Sequence, residues 1–132
     1  MIEDALRSVL LADAAVSALV GTRVAPMKLP QGGTLPAIVY QRISTIPRMG
    51  MESEVGPTRS RVQLSLWADT FQQVRALTTA VRAALQGWSG PAAGVDIKLV
   101  SLANWLDDYE PGPPERFRVI ADFYVMSMEG AA

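Results

Sequence analysis

Two groups of residues in this chain could do chemistry. Asp107, Asp108, Glu110 and Glu115 form an acidic cluster, and Arg48, Met49, Met51, Glu52, Glu54 and Arg59 form a mixed charged and thioether run. A hard cation such as calcium or magnesium needs several converging oxygens. The acidic spacing matches no ion-binding loop, and Pro111, Pro113 and Pro114 stiffen it without a central glycine turn. It reads as a solvated acidic segment, and no metal site is expected. The chain holds no Cys and no His, which removes thiolate nucleophiles, most zinc sites and the commonest general base. A serine nucleophile would need a lysine partner, and neither Lys28 nor Lys98 sits in such a motif. Gly32-Gly33 lacks the glycine–lysine pattern of a phosphate cradle. Asp96 and Asp122 fall mid-strand, where the wet face is expected to carry them rather than an acid/base pair. No catalytic residue, no cofactor and no enzymatic activity are expected.

What remains is recognition chemistry. Met49 and Met51 lie in a polar segment, where adaptable thioethers suit a partner's groove better than a core. Trp67, Trp88 and Trp105 are expected to close core edges rather than to stack on a ligand. The 12 basic and 13 acidic residues leave a net charge of −1, which excludes a phosphate-tracking nucleic-acid binder. Nearly all the basic residues are arginine, which either marks protein interfaces or reflects a GC-rich genome that also enriches alanine. Glu3 and Asp4 stand where a signal peptide would carry positive charge, and no apolar run approaches the roughly 18 residues of a membrane span. A soluble protein, not exported and not membrane-bound, is therefore expected.

The elements that position these residues follow from periodicity. At 132 residues the chain suits a single domain, 1–132, with a real core. Ile2, Leu6, Val9 and Leu10 recur at helical spacing, and Asp13 is placed to cap a second short helical turn closed by Gly21. Residues 22–36 are rich in Pro and Gly and read as a loop, with at most a short extended piece at Arg23–Ala25. Residues 37–46 are β-rich, and Val62, Leu64 and Leu66 alternate with Arg61, Gln63 and Ser65. Between them, residues 47–60 form an arm too long for an efficient hairpin turn, where two to five residues suffice.

Asp69 or Thr70 should cap a helix through Gln86, with Val74, Leu77, Val81 and Leu85 inward and Gly87 as its stop. Residues 89–94 read as a turn. Val95, Ile97 and Leu99 give a third strand that could run on to Trp105, and residues 106–114 read as a loop or the tip of a second hairpin. Phe117, Val119, Ala121, Phe123 and Val125 mark the last strand, the strongest β pattern in the chain. The expected fold class is α+β: an antiparallel sheet of about four strands with two main helices on one face, in the order α-β-β-α-β-β.

The sequence is similar, over about residues 1–128, to the tail-completion or tail-terminator proteins of long-tailed bacteriophages, prophages and gene transfer agents. The carrying features are ADAAVSALVGTRV, LPAIVYQRIS, VQLSLWA, VRAALQG and the closing RFRVIADFYV, in that order and spacing. The resemblance implies a small α+β subunit of a virion, assembled in the host cytoplasm. It implies a homo-oligomeric ring, typically hexameric, at the head-proximal end of the tail. That ring would cap the major tail tube protein, stop tube growth and meet the head connector or neck protein. It implies no catalysis and no cofactor. Alternatives are another neck or head–tail connector protein, or a small ligand-binding or enzymatic α+β domain. Residues 47–60 and 106–114 carry no family signature. The residues themselves add an expectation: Arg48, Arg59 and Arg61 of one subunit would face Asp107, Asp108 and Glu110 of its neighbour across a heterologous interface. Arg48, Met49, Met51, Glu52, Glu54, Arg59, Arg61, Asp107, Asp108 and Glu110 are the candidate oligomer and partner contacts.

Overall fold

A computed structural model describes residues 2–28, 34–46, 58–112 and 115–129. The chain opens with α1 (Ile2–Ala12) and α2 (Ala14–Val20). The break between them is the one Asp13 encodes. Its Oδ1 accepts from the backbone N–H groups of Ala15 and Val16, both at 3.0 Å, satisfying donors that a new helix leaves orphaned. Gly21 closes α2 with φ of 60°, a conformation glycine reaches without a Cβ clash. Arg23 then ties helix to loop, donating from Nε to Pro36 O at 2.9 Å and from Nη2 to Leu19 O at 3.2 Å.

Among the described residues, six strands follow around one further helix. They are β1 (Val24–Pro26), β2 (Ala37–Ile46), β3 (Thr58–Ala68), β4 (Gly90–Ala92), β5 (Val95–Glu110) and β6 (Arg116–Glu129). The helix, α3 (Phe71–Leu85), joins β3 to β4. The sheet order is β1-β2-β3-β6-β5-β4. All neighbours are antiparallel except β1 and β2, which run parallel. The expectation of about four antiparallel strands and two main helices is thus corrected to a mixed six-stranded sheet and three helices. The added strands are the two edges, three residues each and each containing a proline. Too short to alternate, they exist because a neighbouring strand supplies their hydrogen bonds.

One face of the sheet is the core. Val62, Leu64, Leu66 and Ala68 of β3 are buried there beside Val119, Ala121, Phe123 and Val125 of β6. Leu6 and Leu10 of α1, Val16 and Val20 of α2, and Leu77, Val81 and Leu85 of α3 cover them. Thr70, not Asp69, caps α3, accepting from Gln73 N at 3.1 Å. Helix α1 contacts both β2 and β4, which lie near opposite edges, so the sheet curls around it.

Three strand assignments need correction. Thr58, Arg59 and Ser60 belong to β3, so the arm's last expected residues are ladder rather than tip. Strand β5 runs on through Trp105 to Glu110, so the expected acidic loop is largely strand. The register of β5 also slips at a bulge between Ile97 and Leu99. Leu99 is therefore 44% exposed while Val100 takes the core position.

Candidate partner interface

The second face of the sheet is covered by no helix among the described residues. Alternation puts Trp67, Ser65, Gln63 and Arg61 of β3 on it, opposite Arg118, Ile120, Asp122 and Tyr124 of β6. Its order comes from cross-strand partners. Asp122 is only 5% exposed, which corrects the expectation of a wet carboxylate. Arg61 donates to its Oδ2 at 2.5 Å and Gln63 donates to its Oδ1 at 3.2 Å. The hydrogen bond to Asp122, then its charge, holds the Arg61 guanidinium above its usual range.

The next row is built likewise. Arg118 donates from Nη2 to Asp108 Oδ2 at 2.5 Å while its guanidinium lies 4.8 Å from the Trp67 ring centroid. Arg116 pairs with Glu110 and lies 5.1 Å from the same ring. Asp108 is pushed below its ordinary carboxylate range by Arg118, with a further bond from the Tyr109 N–H. Trp67 thus serves as a platform for two arginines, not as a core plug, whereas Trp88 does pack against the core as expected. Arg59 stacks 4.0 Å from the Tyr124 centroid.

These contacts place the sequence-predicted residues. Arg59 and Arg61 stand together on the open face; Asp108 and Glu110 stand on the same face near its far end. Arg61, Asp108 and Glu110 all have ionic partners inside the subunit. Asp107 points to the helix side and has no ion-pair partner among the described residues. Arg48, Met49, Met51, Glu52 and Glu54 lie outside the described residues.

The expected second hairpin is present, with β5 and β6 as its strands, and every residue from Asn104 to Glu110 is exposed. Its open edge and the groove beside it were not legible beforehand. Strand β4 pairs only with residues 95–97 of β5, so among the described residues no strand occupies the outer edge from Ala103 to Glu110. Beside that edge lies a groove of about 920 Å³ between α3 and the hairpin, walled by Phe71, Trp105, Tyr109 and Phe117. Phe71 and Phe117 meet edge to face at 6.3 Å, and the Tyr109 and Phe117 rings lie tilted at 5.2 Å. Tyr109 donates to Glu115 Oε2 at 3.0 Å, which raises its hydroxyl above the usual phenol range. Arg75 and Arg82 rim the groove, 5.6 Å from the Phe71 ring and 5.2 Å from the Trp105 ring, with no carboxylate partner among the described residues. The sequence cue was faint: the i, i+4 and i+11 spacing of Phe71, Arg75 and Arg82 on a helix face otherwise read as solvent.

No group of three or more acidic residues within the described residues is arranged to hold a metal. The arrangement offers rigid surface, aromatic cavity and fixed charge: binding chemistry for a macromolecular partner.

The comparisons agree with that. No curated protein matches the sequence. A chain described as "Virion of native gene transfer agent (GTA) particle" shares the fold with a TM-score of 0.70 at 20% identity, covering 94% of this chain and 92% of that one. The family profile described as "Tail completion protein gp17" matches residues 4–126, all the elements but the first two residues of α1 and the last three of β6. This chain belongs to that tail completion protein family.

Proposed function

We infer that this protein is a structural, non-enzymatic subunit of a phage-type tail in a virion. As a single tail-terminator-like domain it closes into a ring, six-fold in the family's usual form. The ring sits on the last layer of the tail tube at the head-proximal end, stops its growth and meets the head connector.

The observation that carries this reading is the open outer edge of β5 beside the aromatic groove. An edge that no strand covers among the described residues is a template for another chain. Asp107, Asp108 and Glu110 on this strand deter indiscriminate pairing, so the surface favours a partner that answers its charge and shape. The rest of the open face is already paired internally, which presents a stiff, pre-ordered plate for stacking. A surface of one kind at one place, and its complement elsewhere, is the geometry of a heterologous contact that can close a ring.

Light scattering after size exclusion, with negative-stain images of the purified chain, tests the reading. The expected result is a closed ring of uniform stoichiometry. In a phage deprived of its own tail-completion gene, supplying this chain should restore tails of regular length joined to heads. Regular tails joined to heads in the absence of any such chain would refute the terminator role.

A further inference from the structure

The groove and the strand ends that flank residues 47–57 lie at opposite ends of the sheet. The arm, residues 47–57, leaves β2 after Ile46 and re-enters β3 at Thr58, which pairs with Ser127 of β6. The groove surrounds Phe117, which pairs with Ala68 at the other end of the same ladder. At about 3.3 Å per residue the two sites lie about 33 Å apart along β6. An arm rooted at both ends extends at most half its length, about 17–20 Å. It falls short of Phe71, Tyr109 and Phe117 of its own subunit.

The arm's composition nevertheless answers the groove. PRMGMESEVGP offers Met49 and Met51, whose thioethers favour aromatic contacts, and Glu52 and Glu54. The groove offers four aromatic rings, two arginines without carboxylate partners among the described residues, and the Asp107 carboxylate, which has no ion-pair partner among them and to which Arg48 is complementary. We propose that the groove between α3 and the β5–β6 hairpin receives the 47–57 arm of a second copy of this chain, methionines among the aromatics and Glu52 and Glu54 against Arg75 and Arg82. The contact is head to tail, because its two halves lie at opposite ends of one subunit. It deepens the ring reading and rests on it: each copy donates an arm to one neighbour and accepts one from the other.

The chain has no cysteine, so introduced thiols report cleanly. Met51→Cys protein mixed with Thr79→Cys protein and oxidised should give a disulfide heterodimer, since Thr79 lines the groove. The yield should exceed by about tenfold that of Met51→Cys mixed with Leu99→Cys, an exposed position on the open face. The double variant Arg75→Glu/Arg82→Glu should weaken self-association by about tenfold or more with an unchanged melting profile. Combining it with Glu52→Arg/Glu54→Arg should restore assembly. Replacing 47–57 by Asn-Gly should leave a folded subunit that no longer assembles. Rings that persist without the arm, or with no Met51–Thr79 cross-link, would overturn this contact and leave the ring intact. In a Met51→Cys/Thr79→Cys double variant, a disulfide that forms only within single chains would overturn the trans geometry. A wild-type chain that stays monomeric at every concentration would overturn both the contact and the ring.

Discussion

The two faces of β6 differ in how they are stabilised. Val119, Ala121, Phe123 and Val125 on one face are buried by helices whose apolar positions recur at helical period. On the other face Arg118, Asp122 and Tyr124 are held by a carboxylate, a guanidinium and a stacked arginine respectively. The first face tolerates any apolar filler of the right volume, because the hydrophobic effect is non-directional. The second depends on particular partners at particular registers, because a hydrogen-bonded ion pair is directional and a buried charge without one is costly. One strand therefore combines a forgiving face that makes the subunit fold with an exacting face that keeps its surface a fixed shape.

Breaking the forgiving face should have the largest effect. Phe123→Ala removes a side chain that is 1% exposed and should cost about 3–5 kcal/mol in unfolding free energy. That is a large share of the roughly 5–15 kcal/mol such a domain has. Chemical denaturation measures it, and a loss under 1 kcal/mol would mean that the helix face is not the core.

Asp122→Ala should come next, since it strands Arg61 and Gln63 beside a small cavity. Its midpoint in the same denaturation series should fall between those of Phe123→Ala and Tyr124→Ala. If it matched Phe123→Ala, the two faces would be equally demanding and the contrast would fail. Tyr124→Ala loses the stack with Arg59 and partial burial, and should cost about 0.5–1 kcal/mol.

The smallest effect concerns pH. Asp108 titrates below its ordinary range when folded, so its contribution is fully present above the unfolded value of about 3.9 and is lost as pH falls through the folded value. Stability curves of the wild type and Asp108→Asn should differ slightly at neutral pH and converge as pH falls from about 3.9 through the folded value of Asp108. High salt should shrink the neutral-pH difference, because the pair is solvent-exposed. Curves that stay equally far apart as pH falls through that range would assign the effect to packing rather than to charge.

The interface residues divide in the same way. Arg61 was legible as a charge on a strand and Asp108 and Glu110 as charges in a loop or hairpin tip, but a linear pattern does not say whether the opposite charge belongs to the same chain or to the next. Arg61 meets Asp122 from a residue 61 positions away, a pairing set only by the β3–β6 register. Asp107 and Asp108 are adjacent in sequence, yet strand alternation sends one toward the groove and the other to Arg118 on the open face.

What the sequence determined by itself is whatever rests on local periodicity and local capping. Asp13, Gly21 and Thr70 set helix limits through hydrogen bonds and dihedrals within a few residues. The alternation of β3 and β6, and the α3 stripe of Val74, Leu77, Val81 and Leu85, set which side is buried. The tertiary structure alone decided the edge strand β4, the pairing that makes β1 of the short extended piece expected at Arg23–Ala25, the bulge that turns Leu99 outward, the burial of Asp122 and the groove. A three-residue strand carries no period, and its hydrogen bonds come entirely from a neighbour. A bulge shifts register only against a partner, and a cavity exists only where two separately encoded elements fail to meet. These are relations between distant segments, fixed when packing chooses the register, and no window of the chain contains them.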